Sequence, residues 1–363
     1  MSAVLTPDNV ADLALGSVFL ATGGGGDPYL PLLVARAALA QYGSVPLLSP
    51  EALPDDAHVV AIGGVGAPTA SLELLPSLDE SLLAVRAYEQ LTGHTVDAVV
   101  PFEVGGGNSL LPLVAAAALG VPLVDGDGMG RAFPEAQMMS FAIGGVAATP
   151  AVAIDYSGEV QHFDCSDTPT YEKQLRWHTA SRGGMVVTAE HGMSGDTLKR
   201  TVIPGTLSFA CRLGETLHAE KGGLEQLLPT LQNLFEGSIY RGCQVLFRGR
   251  VQRLSLASNA GFDVGTCWIE DPEHSGDTLE LSIRNEYLQA CCADRILASV
   301  PDLIVLLDSE SGRPVNVEQL GFGQRVTVLG LGAPHFFQRE EALRSVAPRC
   351  FGLDGEYAPL FGQ

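Results

Sequence analysis

Three short segments of this chain set acidic or amide side chains among glycines, a pairing suited to holding a small molecule against backbone N–H groups. The first is Gly23-Gly24-Gly25-Gly26-Asp27-Pro28. Its glycines allow positive φ, and a helix starting just after them would aim free N–H groups at an anion or oxyanion. No Gly-Lys-Ser/Thr follows, and the glycines come after a helical stretch rather than interleaving after a strand. This is therefore neither a P-loop nor a dinucleotide fingerprint. A loop that merely lets two elements pack closely explains the composition equally well.

The second segment is Glu103-Val-Gly105-Gly106-Gly-Asn108, one residue after the apolar run Val99-Val100-Pro101. A Gly-rich turn at the carboxyl end of a parallel strand is where open α/β sheets bind ligands. Glu103 sits among apolar residues and needs a partner there; it is a candidate base, or a group that orients a substrate N–H. Asn108 reads first as a cap for the next helix and second as a ligand contact. The third segment is Asp125-Gly-Asp127-Gly-Met-Gly-Arg131, with Glu135 close behind. Its acids could activate water or hold a hard cation. Arg131 could grip a substrate carboxylate through two parallel hydrogen bonds, or an Asp–Arg pair could simply pin the loop. Asp127 is the first choice for a catalytic base and Glu103 the second.

The other polar residues point to chemistry less directly. No HxH or HExxH spacing occurs, His178 lies on a helical pattern, and Glu190-His191 reads as loop. A metal site would have to be assembled from distant residues, for instance Asp125, Asp127 and a remote His; a divalent metal is the minor alternative to a site with no cofactor. Ser194 reads as a turn residue and Cys291–Cys292 as small packing residues. Arg284-Asn285-Glu286, in an apolar context, reads as a domain-interface segment with a structural ion pair.

The elements that must position these turns alternate through residues 1–165. Helices are expected at Val10–Leu20, Leu30–Gln41, Leu78–Thr92 and Ser109–Leu119, with Asp8 or Asn9 capping the first. Short β-branched runs bounded by Gly or Pro lie between them at His58–Ile62, Ala98–Pro101 and Pro122–Val124. Such runs are strands buried on both faces of a mostly parallel sheet, and the alternation predicts a layered α/β domain. Residues 166–363 begin with helices near Pro169–Ser181, Leu207–Lys221 and Leu224–Glu236. From Gly242 on they become β-rich, as in a small barrel or sandwich, and the last residues are free to pack back on the first domain.

Composition excludes some partners. There are 42 acidic against 21 basic residues and no basic run. Binding to nucleic acid or to an anionic membrane is therefore not expected. Only 17% of residues are charged, below the usual quarter; a homo-oligomer with much of its surface covered is one explanation and many Gly and Ala residues at the surface is another. Seven scattered cysteines, no CxxC and no basic-then-apolar leader point to a reduced, cytoplasmic protein.

The segments ATGGGGDPYL, PFEVGGGNSLLPL, VPLVDGDGMGRAFPEAQM, IRNEYL, VPDLIVLLDSESGRP and PRCFGLDGEY follow one another in this order. In them the chain resembles the S-methyl thiohydantoin desulfurase family, over nearly its whole length, with Asp125–Met138 the most specific stretch. The resemblance implies an N-terminal α/β domain, a largely β C-terminal domain, and a link to hydantoinase and oxoprolinase partners. It also implies a reaction that replaces ring sulfur by oxygen. The positions it carries over are Gly23 to Asp27, Glu103, Gly105, Gly106, Asn108, Asp125, Asp127, Gly130, Arg131 and Glu135. A non-catalytic, ligand-binding accessory subunit is the rival reading.

Overall fold

The computed structural model describes residues 4–67, 75, 77, 79–259, 261–271 and 276–362. Among the described residues, ten strands serve the first half: β1 (Val4–Leu5), β2 (Val45–Leu48), β3 (His58–Gly66), β4 (Ala98–Pro101), β5 (Leu123–Val124), β6 (Gly126–Asp127), β7 (Ala151–Ile154), β8 (Val160–Phe163), β9 (Met185–Ser194) and β10 (Ile203–Pro204). Eight of them form one sheet in the order β1-β2-β5-β4-β3-β9-β7-β8. The centre, β2-β5-β4-β3, is parallel and the flanks are antiparallel. Val59, Val60, Ala61 and Ile62 of β3, and Ala98, Val99 and Val100 of β4, are all fully buried, which is why these strands read as unbroken apolar runs. Strands β6 and β10 pair separately.

The first sheet does not stop at residue 165. Its β9 comes from beyond that point and runs antiparallel along β3. Residues Glu190 and His191, expected in a loop, lie within this strand. His191 has φ 49° where the register with β3 shifts, so the strand bulges there. Polar residues and a glycine interrupt the Val186-Val187 run and hide it from a pattern of alternation.

Among its described residues, the second half carries seven antiparallel strands: β11 (Cys243–Asn259), β12 (Phe262–Glu270), β13 (Thr278–Arg284), β14 (Glu286–Cys292), β15 (Arg295–Ser299), β16 (Leu303–Asp308) and β17 (Arg325–Leu331). Their order is β15-β14-β13-β12-β11-β17-β16, and β14 also packs against β16, so the sheet curls into a half-barrel. Its interior is filled by Val251, Ile269, Leu281, Tyr287, Leu306 and Val328.

Helices Val10–Leu20, Leu224–Glu236 and Glu80–Thr92 fall where the sequence places them, the last within its described residues. Asn9 stands just before the first helix, but its side chain accepts from Thr6 N instead of capping the helix. The helix Thr206–Ala219 packs along Val10–Leu20 so closely that a Cβ on Gly16 would lie 1.8 Å from Ala210 O, and one on Gly214 would lie 1.9 Å from Asp12 O. The core under the first sheet therefore includes Leu213, Leu231 and Phe235 from the second half beside Leu13 and Phe19 from the first. Among the described residues, no helix is long and apolar enough to cross a membrane.

Candidate functional site

A cavity of about 550 Å³ opens at the carboxyl ends of β3 and β4. It is walled by Gly25–Asp27, by Gly64–Ala67, by Phe102 and Glu103, and by Met185–Val187 of β9. The turn between β13 and β14 closes it from the second half with Asn285 and Glu286. Ligand cavities of enzymes commonly span roughly 300–1,000 Å³ and are largely apolar with a few convergent polar groups.

Glu103 is the central polar group. Strand β4 ends at Pro101, and the following turn drops Glu103 into the wall with 4% of its surface exposed. Its Oε1 accepts from Asn108 Nδ2 at 2.5 Å and its Oε2 from Phe133 N at 3.3 Å. Burial pushes its carboxyl up to about 8, against the pull of those two donors. Asn108 is no helix cap: its Oδ1 accepts from Gly64 N at 2.7 Å, so it ties the end of β3 to Glu103.

The tetraglycine loop is both wall and hinge-plate. A Cβ on Gly25 would stand 2.6 Å from Gly105 Cα, and one on Gly106 would stand 2.4 Å from Gly26 O. The two Gly-rich turns thus lie backbone on backbone, with Gly107 N donating to Gly25 O at 2.8 Å. On its other side the loop meets the second half. Tyr287 N donates to Thr22 O, Val317 N donates to Gly23 O, and Gln319 Nε2 donates to Asp27 Oδ2. Among the described residues, the N–H groups of Gly25 and Gly26 donate no hydrogen bond, so close packing and unpaired amides coexist in one segment.

Glu286 is 3% exposed and lines the same cavity. Its Oε1 occupies space that only a glycine at position 24 leaves open, since a Cβ there would lie 2.3 Å away. Its Oε2 is buried with no hydrogen-bond partner among the described residues. Burial, then the neighbouring Glu103, raises this carboxyl well above the usual range.

The remaining wall carries Glu135, Glu172, Arg176 and Glu190. Arg176 donates to Glu172 Oε1 at 2.7 Å and 2.9 Å and to Pro134 O at 2.7 Å. Glu135 pairs with Arg284. Phe262 lies between the guanidinium groups of Arg176 and Arg284, 4.2 Å and 4.3 Å from its ring centre. Glu190 accepts from Tyr171 OH and faces His191 Nδ1 at 3.1 Å.

Other expected residues lie elsewhere. Asp127 is fully buried but does not line the cavity. Its Oδ1 accepts from Met129 N at 2.6 Å and Gly130 N at 2.7 Å, so it sits behind Met129 and shapes the turn. Burial lifts it to about 6. Asp125 accepts from Ser208 N and starts the helix Thr206–Ala219. Arg131 is also fully buried and away from the cavity. It donates to Ala132 O, Asp302 O, Tyr287 O, Pro301 O and Thr22 Oγ1. With its N–H groups spent on the protein, it braces the two halves and has none to offer a substrate carboxylate. Among the described residues, no group of three or more His, Cys, Asp or Glu is arranged to hold a metal ion.

Glu172, Arg176 and Glu190 are wall residues that do not stand out in the sequence, where Glu286 reads only as an interface residue. A lone acid inside the apolar run Val186–Ala189-Glu190, and another beside Tyr287 and Leu288, were the available signals.

The S-Me-THD-like, N-terminal domain matches residues 8–164, and the S-Me-THD-like, C-terminal domain matches residues 166–360. A crystal structure of a protein from Chromobacterium violaceum superposes with a TM-score of 0.81 at 25% identity, covering 99% of this chain and 100% of that one. No curated protein matches. The chain belongs to the S-Me-THD-like family, as the resemblance in its motifs implied.

Proposed function

From that membership and the cavity chemistry, we propose that the protein is a hydrolase that replaces sulfur by oxygen on a thiohydantoin-type ring. The observation that carries this reading is Glu103: a buried carboxyl on the cavity wall, oriented by Asn108 and raised to about 8. A group tuned to that value is half ionised near pH 8 and can take a proton from water, an effect worth roughly 10²–10⁴-fold. The water oxygen adds to the ring carbon between the two nitrogens, and the tetrahedral intermediate expels a thiol or sulfide. The Gly25 and Gly26 amides supply donors for charge developing on the ring heteroatoms. Met129, Phe133 and Val187 give the apolar wall that displaces bulk water.

The test is thiol or sulfide release from a panel of thiohydantoins and S-alkyl thiohydantoins by the isolated protein. Release by wild type, lost in Glu103→Gln, supports the reading. A wild-type protein that binds these rings without releasing sulfur supports the accessory-subunit reading instead. A hydantoinase- or oxoprolinase-type partner and self-association are companion proposals, both read out by size-exclusion chromatography with and without that partner.

A further inference from the structure

We propose that Glu286, carried into the cavity by the β13–β14 turn of the C-terminal half, is a second catalytic group that hands a proton to the departing sulfur. The proposal rests on the desulfurising reading above and adds a residue that reading does not need. It stands on geometry. Glu286 is buried, it lines the cavity beside Glu103, and one of its carboxyl oxygens is left without a partner. A buried carboxyl atom without a donor is costly unless it carries a proton or meets a ligand.

The two acids are unequally served. Glu103 receives hydrogen bonds from Asn108 and Phe133, which favour its ionised form. Glu286 Oε2 receives none from the described residues. The charged groups acting on Glu286 are Glu103, Arg131, Arg176 and Arg284. All three arginines are committed to other protein acceptors. When the pair holds a single proton, that proton therefore rests on Glu286 and the negative charge on Glu103.

The turn is built to hold this placement. Asn285 has φ 60°, its N donates to Asp263 O at 2.8 Å, and its Oδ1 accepts from Asp263 N at 2.8 Å. Tyr287 OH donates to Val315 O at 2.8 Å on the far side. Gly24 leaves the room that Glu286 Oε1 fills.

The steps balance. As the water oxygen bonds to the ring carbon, Glu103 takes one of its protons, the C=N electron pair moves onto nitrogen, and Glu103 passes that proton to the nitrogen. The C–S bond then breaks with its pair on sulfur. Glu286 gives its proton to sulfur, and the hydroxyl proton goes to Glu103 as the carbonyl forms. Transfer of that proton from Glu103 to Glu286 restores the starting pair, and the net change is ring C–SR plus water to ring C=O with N–H and HSR.

The test varies the leaving group. Wild type, Glu286→Gln, Gly24→Ala and Glu103→Gln are each assayed with S-alkyl and S-nitrophenyl thiohydantoins. A nitrothiophenolate leaves without a proton, whereas an alkanethiolate needs one. Glu286→Gln should lose on the order of 10²-fold or more with the alkyl compounds and stay within about threefold of wild type with the aryl one. Gly24→Ala should copy this pattern by displacing Glu286, and Glu103→Gln should lose activity with both. A Glu286→Gln loss equal for both leaving groups, or no loss, overturns the role of Glu286 and leaves the desulfurising reading intact. Wild-type inactivity toward every compound overturns that reading, and the role with it. Infrared spectra give a readout apart from turnover: wild type and Glu103→Gln should keep a protonated, buried carboxyl band to higher pH than Glu286→Gln does. A band lost at the same pH in all three proteins overturns the proposal.

Discussion

Glu103→Gln probes stability and chemistry through one atom exchange. The substitution keeps the side-chain volume and the Asn108 contact but removes the titrating group. In the folded protein the Glu103 carboxyl moves from its ordinary 4.5 to about 8, chiefly through burial. Each pH unit of displacement corresponds to about 1.4 kcal/mol, so the full interval is worth about 5 kcal/mol. The folded state keeps its proton over a range where the unfolded chain has released it. The associated stability is thus fully present below about pH 4.5 and is lost as pH rises through about 8. Glutamine does not titrate, so across this window the variant's stability should fall less steeply, by about 1.4 kcal/mol per pH unit. Urea unfolding at intervals from pH 5 to 9 reads this directly, provided the two proteins share an m-value. Turnover should drop by roughly 10²–10⁴-fold in the same variant. Parallel stability curves would refute a proton-holding Glu103, and undiminished thiol release would remove it from the reaction.

Further outcomes follow from other contacts. Asp127 raises the Glu103 carboxyl through its charge. Asp127→Asn keeps an acceptor for Met129 and Gly130, and should shift the rising limb of the pH–rate profile to lower pH; an unmoved limb would break that coupling. Arg131→Ala removes a donor from five buried acceptors and should cost roughly 3–5 kcal/mol in denaturant unfolding. Gly214→Ala drives a methyl into Asp12 O and should cost about 1–3 kcal/mol or more. Gly237→Ala, with open space around it, is the control and should change the unfolding midpoint little.

Much of the fold is legible because local rules and burial agree. The β-branched runs at Ala98–Pro101 and Val59–Ile62 are buried on both faces and look it. The helix Leu224–Glu236 shows its apolar stripe plainly. Strand β9 is hidden because its acid and bulged histidine break the alternation while its partners lie far away in sequence. At the site, the Gly-rich acidic turns mark the right region but do not rank the acids. Asp127 and Arg131 look more chemical than Glu103, yet burial behind Met129 and five protein acceptors absorb them. Glu286 needs the second half docked before it meets Glu103, and no local pattern encodes that meeting.

The pairing of β9 with β3 also matters while the chain is being made. Gly66 and its partner Met185 are separated by more than a hundred residues. During synthesis the edge of β3 therefore waits, bare and apolar, until the ribosome has delivered a segment encoded much later. A nascent chain halted near residue 165 would carry a complete set of glycine turns and an open sheet ready to pair with a stranger. Chaperone demand should accordingly peak before β9 leaves the exit tunnel and fall once it has zipped into place.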